Sequence, residues 1–399
     1  MGIILCHQAR LLRPEARDAM ISLIAIAAAT SVFYAWLWWQ LTLLRRTSRL
    51  HGPQTSGGLD HLVTVVIAAR DEASTIETTL RGLLAQEGIE RIILVDDHSS
   101  DSTMSIACNV AREDSRLYVC QAPPLPAGWV GKNHALHYGA QSATSTFILF
   151  MDADVILLPG TVAMAVRMMA ADRLDHLSGY FGIRCDTIAE EMCAPVYSAG
   201  AALTLFRAAR TQGAATGAFN LIRTEFYRHI GGHEQIKGTI VDDVFLARLA
   251  KAAGGRSGFI DLADRVQVRL FQGFGGFMSA IARSALAYME GDWLSLMLAG
   301  TGLCFLGAVS LLLPVIGVTQ LVTGGFRTGG SLVAILGCLA YGLGMACIFL
   351  LRRYHTGRMV WGLAYPLVII LLGAATFQAG LMGLFRRQVH WRGRLYRAA

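Results

Sequence analysis

The sequence predicts an α/β domain with a mostly parallel sheet, carried on transmembrane helices. Three observations predict it. Between Leu62 and Ile183, short apolar runs alternate with helical stretches, the arrangement that yields parallel strands joined by helices. Two of those runs end in carboxylates, Asp96-Asp97 and Asp152-Ala153-Asp154, and ligands of open α/β sheets bind at the carboxyl ends of strands. Four longer apolar stretches, 19–44, 296–323, 331–351 and 359–385, reach the roughly 20 residues a helix needs to cross a bilayer.

Residues 1–18 form an N-terminal segment and 19–44 the first anchor. The run from Met20 to Leu44 is longer than the apolar region of a signal peptide, and no clear small-residue cleavage site follows. It reads as a retained anchor, with Trp36, Trp38 and Trp39 as its aromatic belt. Arg10, Arg13 and Arg17 before it nearly balance Arg45, Arg46 and Arg49 after it, so charge orients it weakly. Gly52, Pro53, Ser56, Gly57 and Gly58 mark a linker, 45–61.

The sheet domain, 62–290, opens with a strand at 62–68, a helix from Ser74 to Gln86 and a strand at 91–95. A helix from Ser102 to Arg112, a strand at 117–120 and a helix ending at Gln141 follow, and the apolar run 147–151 leads into Asp152. Leu177 to Ile183 is a strand. The stretch 190–206, interrupted by Pro195, is a core helix or one lying on the membrane surface. Small residues at 213–218 lead into a strand at 220–222 and allow a ligand to approach the backbone closely. A short helix at 226–230, a turn at Gly231-Gly232-His233 and a helix opening at Val241-Asp242-Asp243 come next. Residues 261–271 are extended, and an amphipathic helix at 277–289 closes the domain.

Three apolar segments within 296–385 and a basic tail, 386–399, complete the chain. Arg352, Arg353 and Arg358 mark a cytoplasmic loop, yet the tail, with Arg386, Arg387, Arg392 and Arg394, is also basic. Both cannot be cytoplasmic if 359–385 crosses completely. Pro366, in the middle of that segment, allows a kinked or re-entrant path.

Composition narrows the function. Hydrophobic residues make up 54% of the chain and charged ones 16%, against about 25% charged in soluble domains. The net charge of +7 sits largely beside the apolar segments, which points to anionic lipid headgroups. No basic, aromatic-interleaved motif points to nucleic acid. The eight cysteines include no C-x-x-C and read as reduced, mostly buried thiols. Neither a G-x-G-x-x-G after the first strand nor a P-loop is present, which argues against dinucleotide dehydrogenases and P-loop enzymes.

The carboxylates carry the chemistry. Asp152 and Asp154 at one strand end repel each other unless a cation lies near, and Mg²⁺ or Mn²⁺ prefers such oxygen ligands together with nucleotide phosphates. The alternative is that Asp154 caps a helix. Capping is also the alternative for Asp242 and Asp243, because acids at a helix start are favoured by its dipole. His98 and His233 read as polar loop residues, and His134 and His137, three apart on one helix, as surface residues rather than zinc ligands. Trp129 either covers a donor pocket or packs beneath the proline-rich loop around it.

In order, the chain carries Ala69-Arg70-Asp71-Glu72, then Val95-Asp96-Asp97-His98-Ser99-Ser100-Asp101, then Gly128-Trp129-Val130-Gly131-Lys132. Asp152-Ala153-Asp154, Gly231-Gly232-His233 and Asp242-Asp243-Val244-Phe245-Leu246-Ala247 follow, and Trp391-Arg392-Gly393-Arg394-Leu395-Tyr396 closes the set. This ordered set resembles the family 2 inverting glycosyltransferases of GT-A fold, nearest to membrane-anchored bacterial enzymes of the hopene-associated and carotenoid type. The resemblance covers about 62–290, with the C-terminal motif matching separately.

It implies a Rossmann-like nucleotide-diphospho-sugar domain that transfers a sugar from a UDP- or GDP-sugar to a lipid or lipid-linked acceptor. Ala69, Arg70, Asp71 and Glu72 would border the nucleotide pocket, and Asp96 and Asp97 would hold base and ribose. Lys132 would lie near the diphosphate or the acidic cluster. Asp152, Ala153 and Asp154 would form the metal motif for Mg²⁺ or Mn²⁺, with Asp154 the more direct ligand. Asp243 would be the general base flanked by Asp242, with Gly217 and Asn220 in the acceptor region. The enzyme would sit as a multi-pass protein in the bacterial inner (cytoplasmic) membrane, its catalytic domain in the cytoplasm. Processive members carry Gln-x-x-Arg-Trp after the base. Gln272 here lacks the Arg-Trp, which favours a single transfer over a polysaccharide synthase, and Arg269 is left as a candidate for the diphosphate. A non-catalytic scaffold is disfavoured by the retained acids and Lys132.

Overall fold

The computed structural model describes residues 14–47, 62–288, 292–323, 329–385, 388–391 and 394–397. The segment before Pro14, the linker from 48 to 61 and the expected helix end at Met289 fall outside them. By its contacts the described chain forms two units that alternate along the sequence. One holds the sheet, within 48–184, 201–270 and 386–399; the other takes 1–47, 185–200 and 271–385.

Helix α1, Pro14–Thr47, is followed in the sheet unit by β1 (Val63–Ala69), α2 (Ile76–Leu84), β2 (Ile89–Asp96), α3 (Thr103–Ala111), β3 (Leu117–Gln121) and α4 (Gly131–Gln141). Then come β4 (Phe147–Asp152), β5 (Val155–Leu157), α5 (Thr161–Ala171), β6 (His176–Tyr180) and β7 (Gly182–Ile183). After α6 (Ile188–Thr211), the unit continues with β8 (Asn220–Arg223), α7 (Thr224–His229), α8 (Asp242–Ala252), β9 (Ser257–Asp261) and β10 (Val266–Val268).

Seven strands form the main sheet in the order β3-β2-β1-β4-β8-β6-β9. Only β8 runs against its neighbours; the other pairings are parallel. Val65, Val66, Ile67, Ile92, Ile93, Leu94 and Val95 are all buried, as strands covered on both faces must be. Each such side chain contributes roughly 1.5–3 kcal/mol on leaving water, so these runs hold the sheet edge in place. Gly139 of α4 lies so close to the sheet that a Cβ there would come within 2.6 Å of Val66, which brings the N-terminus of α4 down to the strand ends.

The register aligns the acids. Ala69 pairs with Asp96, and Ala68 with Asp152, so β1, β2 and β4 finish on one line. Asp96 and Asp152 stand on either side of β1, two strand spacings or roughly 10 Å apart.

Three expectations change. Asp154 does not cap a helix: β5 follows it, and the N-cap of α5 is Gly160, in a left-handed conformation (φ 75°). The expected strand 177–183 is two strands, with β6 in the main sheet and β7 in a second sheet, β5-β10-β7. Within the expected extended segment 261–271 only β10 is a strand, in the second sheet, while β9 ends where that segment begins and joins the first. In both places the chain turns from one sheet to the other, which an apolar run does not reveal.

In the other unit, α1, α10 (Trp293–Val322), α11 (Gly329–Leu350) and the segment ending in α12 (Tyr365–Leu384) are long and apolar enough to cross a membrane. Helix α9 (Gly273–Tyr288) precedes them. Pro366 sits in the first turn of α12, where its missing N–H costs nothing, so it kinks no helix. The first turn of α6 is a capping box: Thr187 Oγ1 accepts from Glu190 N (3.3 Å) and Glu190 Oε2 accepts from Thr187 N (3.2 Å). The other oxygen of buried Glu190 accepts from Gly273 N (3.2 Å), tying the start of α9 to the start of α6. Residues 388–391 and 394–397 form an antiparallel hairpin, β11 and β12. The side chains of Trp391 and Arg394 are outside the described ones.

Candidate active site

The site begins with the loops after β1 and β2. Asp71 and His98 both adopt left-handed backbone (φ 55° and 58°), which turns the two loops toward each other. Asp71 Oδ1 accepts from Ser100 N (2.7 Å) and Ser100 Oγ (3.0 Å), and Asp71 N donates to Ser99 Oγ (3.1 Å). Buried Asp96 accepts from Ser99 N (3.0 Å) and Ser99 Oγ. Arg70 Nη1 donates to Asp97 O (2.9 Å), and Ala69 O accepts from Asp97 N (2.8 Å). Glu72 N donates to Thr103 Oγ1 (2.8 Å), while its carbonyl accepts from Thr75 N and Ile76 N at the start of α2. The acids here brace the two loops against one another. The Ser100 hydrogen bonds hold the Asp71 carboxyl below its ordinary range.

The second group gathers at the end of β4. Lys132, in the first turn of α4, places Nζ 2.7 Å from Asp152 Oδ1 and 2.9 Å from Asp242 Oδ1. Burial pulls the Lys132 ammonium down, but the carboxylates of Asp152, Asp242 and Asp243 outweigh it and hold the group well above its usual range. Burial raises Asp242, Lys132 opposes, and the charge of Asp152 adds to the rise. Asp243 is pushed up to about 7, by burial first and by adjoining Asp242 second. One of its oxygens accepts from Val244 N (2.8 Å) at the start of α8, and the residue remains partly exposed. Helix capping and chemistry therefore coexist at Asp243.

Gly217 and Asn220 line the same small cleft, of about 190 Å³, with Lys132, Asp152, Asp242 and Asp243. Gly217 is obligatory: its carbonyl accepts from Asp152 N (2.8 Å), and a Cβ would collide with the Asp152 carboxylate. Next to Lys132, fully buried Asn133 donates through Nδ2 to Ile236 O (2.9 Å) and Thr239 O (2.8 Å), and Val130 N donates to Lys237 O (2.8 Å). The same turn of α4 thus grips the acids and the loop that delivers them.

Asp154 faces elsewhere. It lines a cleft of about 400 Å³ with Ser74, Thr75, Thr78, Arg184 and Gln267, and Arg269 borders it too. Ala153 between the two acids is buried, its carbonyl accepting from Thr79 Oγ1 (3.0 Å). The metal motif is therefore split between two clefts. Gln267, not Gln272, lines one of them; Gln267 in β10 and Arg269 just past its end are two residues apart, a period-two signal that the sequence carries. Arg184, just past β7, has no sequence signal of its own.

Two histidine expectations are corrected. His233 is not a surface loop residue: it is buried, with Nδ1 2.9 Å from the Tyr227 hydroxyl and its ring edge-on to Phe150. Burial pushes it down to about 3. His176, unremarked in the sequence, is buried 2.7 Å from Asn220 Oδ1 and pushed down to about 4. His134 is buried too, and Trp129 lies against both His134 and His137 (5.5 and 5.1 Å between ring centres), packing on α4.

Residues 60–268, just over half of the chain, match the family model described as Glycosyltransferase like family 2. The chain belongs to this glycosyltransferase family. Among curated glycosyltransferases it is similar to 4,4'-diaponeurosporenoate glycosyltransferase of Staphylococcus haemolyticus, 33% identical over 95 residues, and to that of Staphylococcus aureus strain MRSA252, 34% over 96 residues. Each match covers 24% of this chain and 24% of the relative, so it spans about a quarter of the relatives' length. Among solved structures, a mannosyltransferase from Pyrobaculum calidifontis in complex with GDP-Man and Mn²⁺ superposes with a TM-score of 0.52 at 17% identity, covering 91% of this chain and 99% of that one. The glycosyltransferase has the GT-A fold, with its mostly parallel sheet.

The donor set bears on a metal. Among the described residues, no group of three or more His, Cys, Asp or Glu is arranged so that it alone could hold a metal ion. Asp152 and Asp154 fall short of a closed protein cage, as zinc would require. Asp154, partly exposed in its own cleft, suits Mg²⁺ or Mn²⁺, which bind through one or two carboxylates and complete their shell with water and substrate phosphate.

Proposed function

We propose that this glycosyltransferase is a membrane-bound, inverting enzyme that moves one sugar from a UDP- or GDP-sugar to a lipid or lipid-linked acceptor. The observation that carries this reading is Asp243: a partly exposed carboxylate, poised near neutrality, in the cleft that Lys132 and Asp152 close at the end of β4. Asp243 takes the proton of the acceptor hydroxyl as that oxygen bonds to the anomeric carbon. The bond from that carbon to the diphosphate breaks on the opposite face, and the diphosphate leaves with the electron pair. Lys132 orients Asp152 and Asp242 and offsets their charge. Asp152 and Asp154 would hold Mg²⁺ or Mn²⁺, which supplies Lewis-acid neutralisation of the diphosphate. Ala69, Arg70, Asp71, Glu72, Asp96 and Asp97 form the nucleotide side, with Asp71 and Asp96 fixing the loops.

The four apolar helices support a hydrophobic acceptor, and the compound named in the staphylococcal relatives, 4,4'-diaponeurosporenoate, agrees with one. The bacterial cytoplasmic membrane is the location this reading implies. The test is a screen of nucleotide-sugars for divalent-dependent donor hydrolysis by the purified full chain. NMR of the anomeric proton in the product then reports stereochemistry. Retained configuration, or hydrolysis indifferent to chelator, would refute the mechanism.

A further inference from the structure

We propose that the last apolar segment, 359–385, is a re-entrant hairpin that enters and leaves the bilayer on the side where α10 begins. The evidence is the pairing of α12 with α10. Gly380 packs on Trp293 and Met297, Gly373 on Gly300 and Cys304, and the first turn of α12, at Pro366, on Gly307. The helices are antiparallel, and glycines on both sides bring their backbones together. The end of α12 therefore lies level with the start of α10. Its beginning reaches only Gly307, the middle of α10. At 1.5 Å per residue, α10 continues roughly 22 Å beyond that point. There its neighbours are other helices: Gly317 meets Ala334 and Gly337 meets Leu313 and Pro314 of α11–α10 pairs, and Ala27 of α1 clusters with Leu313 and Val333.

The descending arm is the 3₁₀ stretch Met359–Ala364, running back along the end of α11: Gly362 packs on Ile348, and the Tyr341 hydroxyl donates to Leu363 O (2.6 Å). That bond serves a carbonyl at the turn, where lipid offers no partner, and Pro366 has no N–H to satisfy. Val360, Leu363 and Leu367 are exposed around the tip, as a lipid-facing turn requires. Above it, the loop after α11 is fastened to the first turn of α6. Cys185 N donates to Thr356 Oγ1 (2.9 Å) and Arg358 Nε pairs with Glu191 Oε2 (3.0 Å). Glu190 on that same turn holds the start of α9, which leads into α10.

Helix α1 ends on this side as well. Along it the partners on α10 fall from Leu313 opposite Ala27 to Ser310 opposite Tyr34 (hydroxyls 2.9 Å apart). The chain then crosses fully three times, in α1, α10 and α11. Arg45 and Arg46, Arg352, Arg353 and Arg358, and the basic tail all flank one face, against Arg10, Arg13 and Arg17 before α1 and Arg327 between α10 and α11 on the other. The positive-inside rule makes that face cytoplasmic and removes the conflict between the loop and the tail.

Single cysteines placed in the full chain freed of its own cysteines test this, at Thr356→Cys, Ala398→Cys, Glu87→Cys and Thr328→Cys. An impermeant maleimide is applied to vesicles of both orientations. Positions 356, 398 and 87 are expected to label from one face and 328 from the other. Labelling of 356 and 398 from opposite faces overturns the hairpin. Should the cysteine-free chain not accumulate, a fluorescent or phosphatase reporter fused after 356 and after 399 of the otherwise native sequence reads the same comparison: matching reporters support the hairpin and opposite ones refute it. Neither readout depends on sugar transfer, so failure here leaves the proposed reaction standing.

Discussion

At Asp243, burial and the neighbouring carboxylate hold the proton near neutrality, and that sets two expectations of opposite sign. As a base it works only ionised, so kcat should rise with pH through about 7. Asp243→Asn should lower kcat by roughly 10²–10⁴-fold while donor binding, read by calorimetry, persists. Stability runs the other way. A carboxyl raised above its unfolded value binds its proton more tightly in the native state, so native stability falls as pH climbs from about 4 to about 7. The Asn variant escapes this loss, and its Tm should exceed that of the native chain at pH 8 and not at pH 4. Gly217 offers a control that leaves the acids untouched. Gly217→Ala pushes the Asp152 carboxylate off Lys132 and should lose transfer with near-native circular dichroism; full activity would show that the Asp152–Lys132 contact is dispensable.

Helix α4 and strands β4, β6 and β8 show how elements hold those residues. Asn133 donates to carbonyls more than a hundred positions away, and Asn133→Asp turns that donor into an acceptor facing acceptors. A loss of about 2–4 kcal/mol in unfolding free energy is expected, together with a fall in kcat larger than any change in donor KM. Asn133→Ser, which keeps a donor, should recover part of both. His176 and His233, buried and depressed, act as acid-sensitive pins. The unfolded chain protonates near pH 6.5 and the native chain only near 4 and 3, so stability is complete above 6.5 and falls as pH drops toward 4. Thermal melts from pH 7 to 5 should show it, and His176→Gln should flatten the fall. The strands and their acidic ends were legible in the sequence because apolar runs and terminal acids are local patterns. Asn133, the His176–Asn220 contact and the bracing role of Asp96 were not, since each depends on a partner that only the fold brings near. The split of Asp152 and Asp154 into two clefts was hidden for a related reason: one buried alanine between them turns the chain.

On the scale of the whole chain, charge counting exposed the conflict over 359–385, but the direction of α12 became evident only through glycines on two helices. Metal removal is a whole-molecule test too. Lys132 already pairs with both Asp152 and Asp242, so a chelator should abolish transfer yet leave the melting temperature unchanged; a drop of several degrees would mean that the fold itself needs the ion. The alternation of the two units along the sequence has a consequence for biosynthesis. Strands β1 to β7 leave the ribosome before residues 185–200, which belong with the membrane helices, while β8, β9 and β10 leave after them. The sheet thus stays two strands short until that apolar stretch has emerged, and 185–200 in turn awaits α10 to α12, made last. Each half is interrupted by the other's material, so a chain released early should be handed to proteolysis rather than persist as an active enzyme tethered by α1 alone.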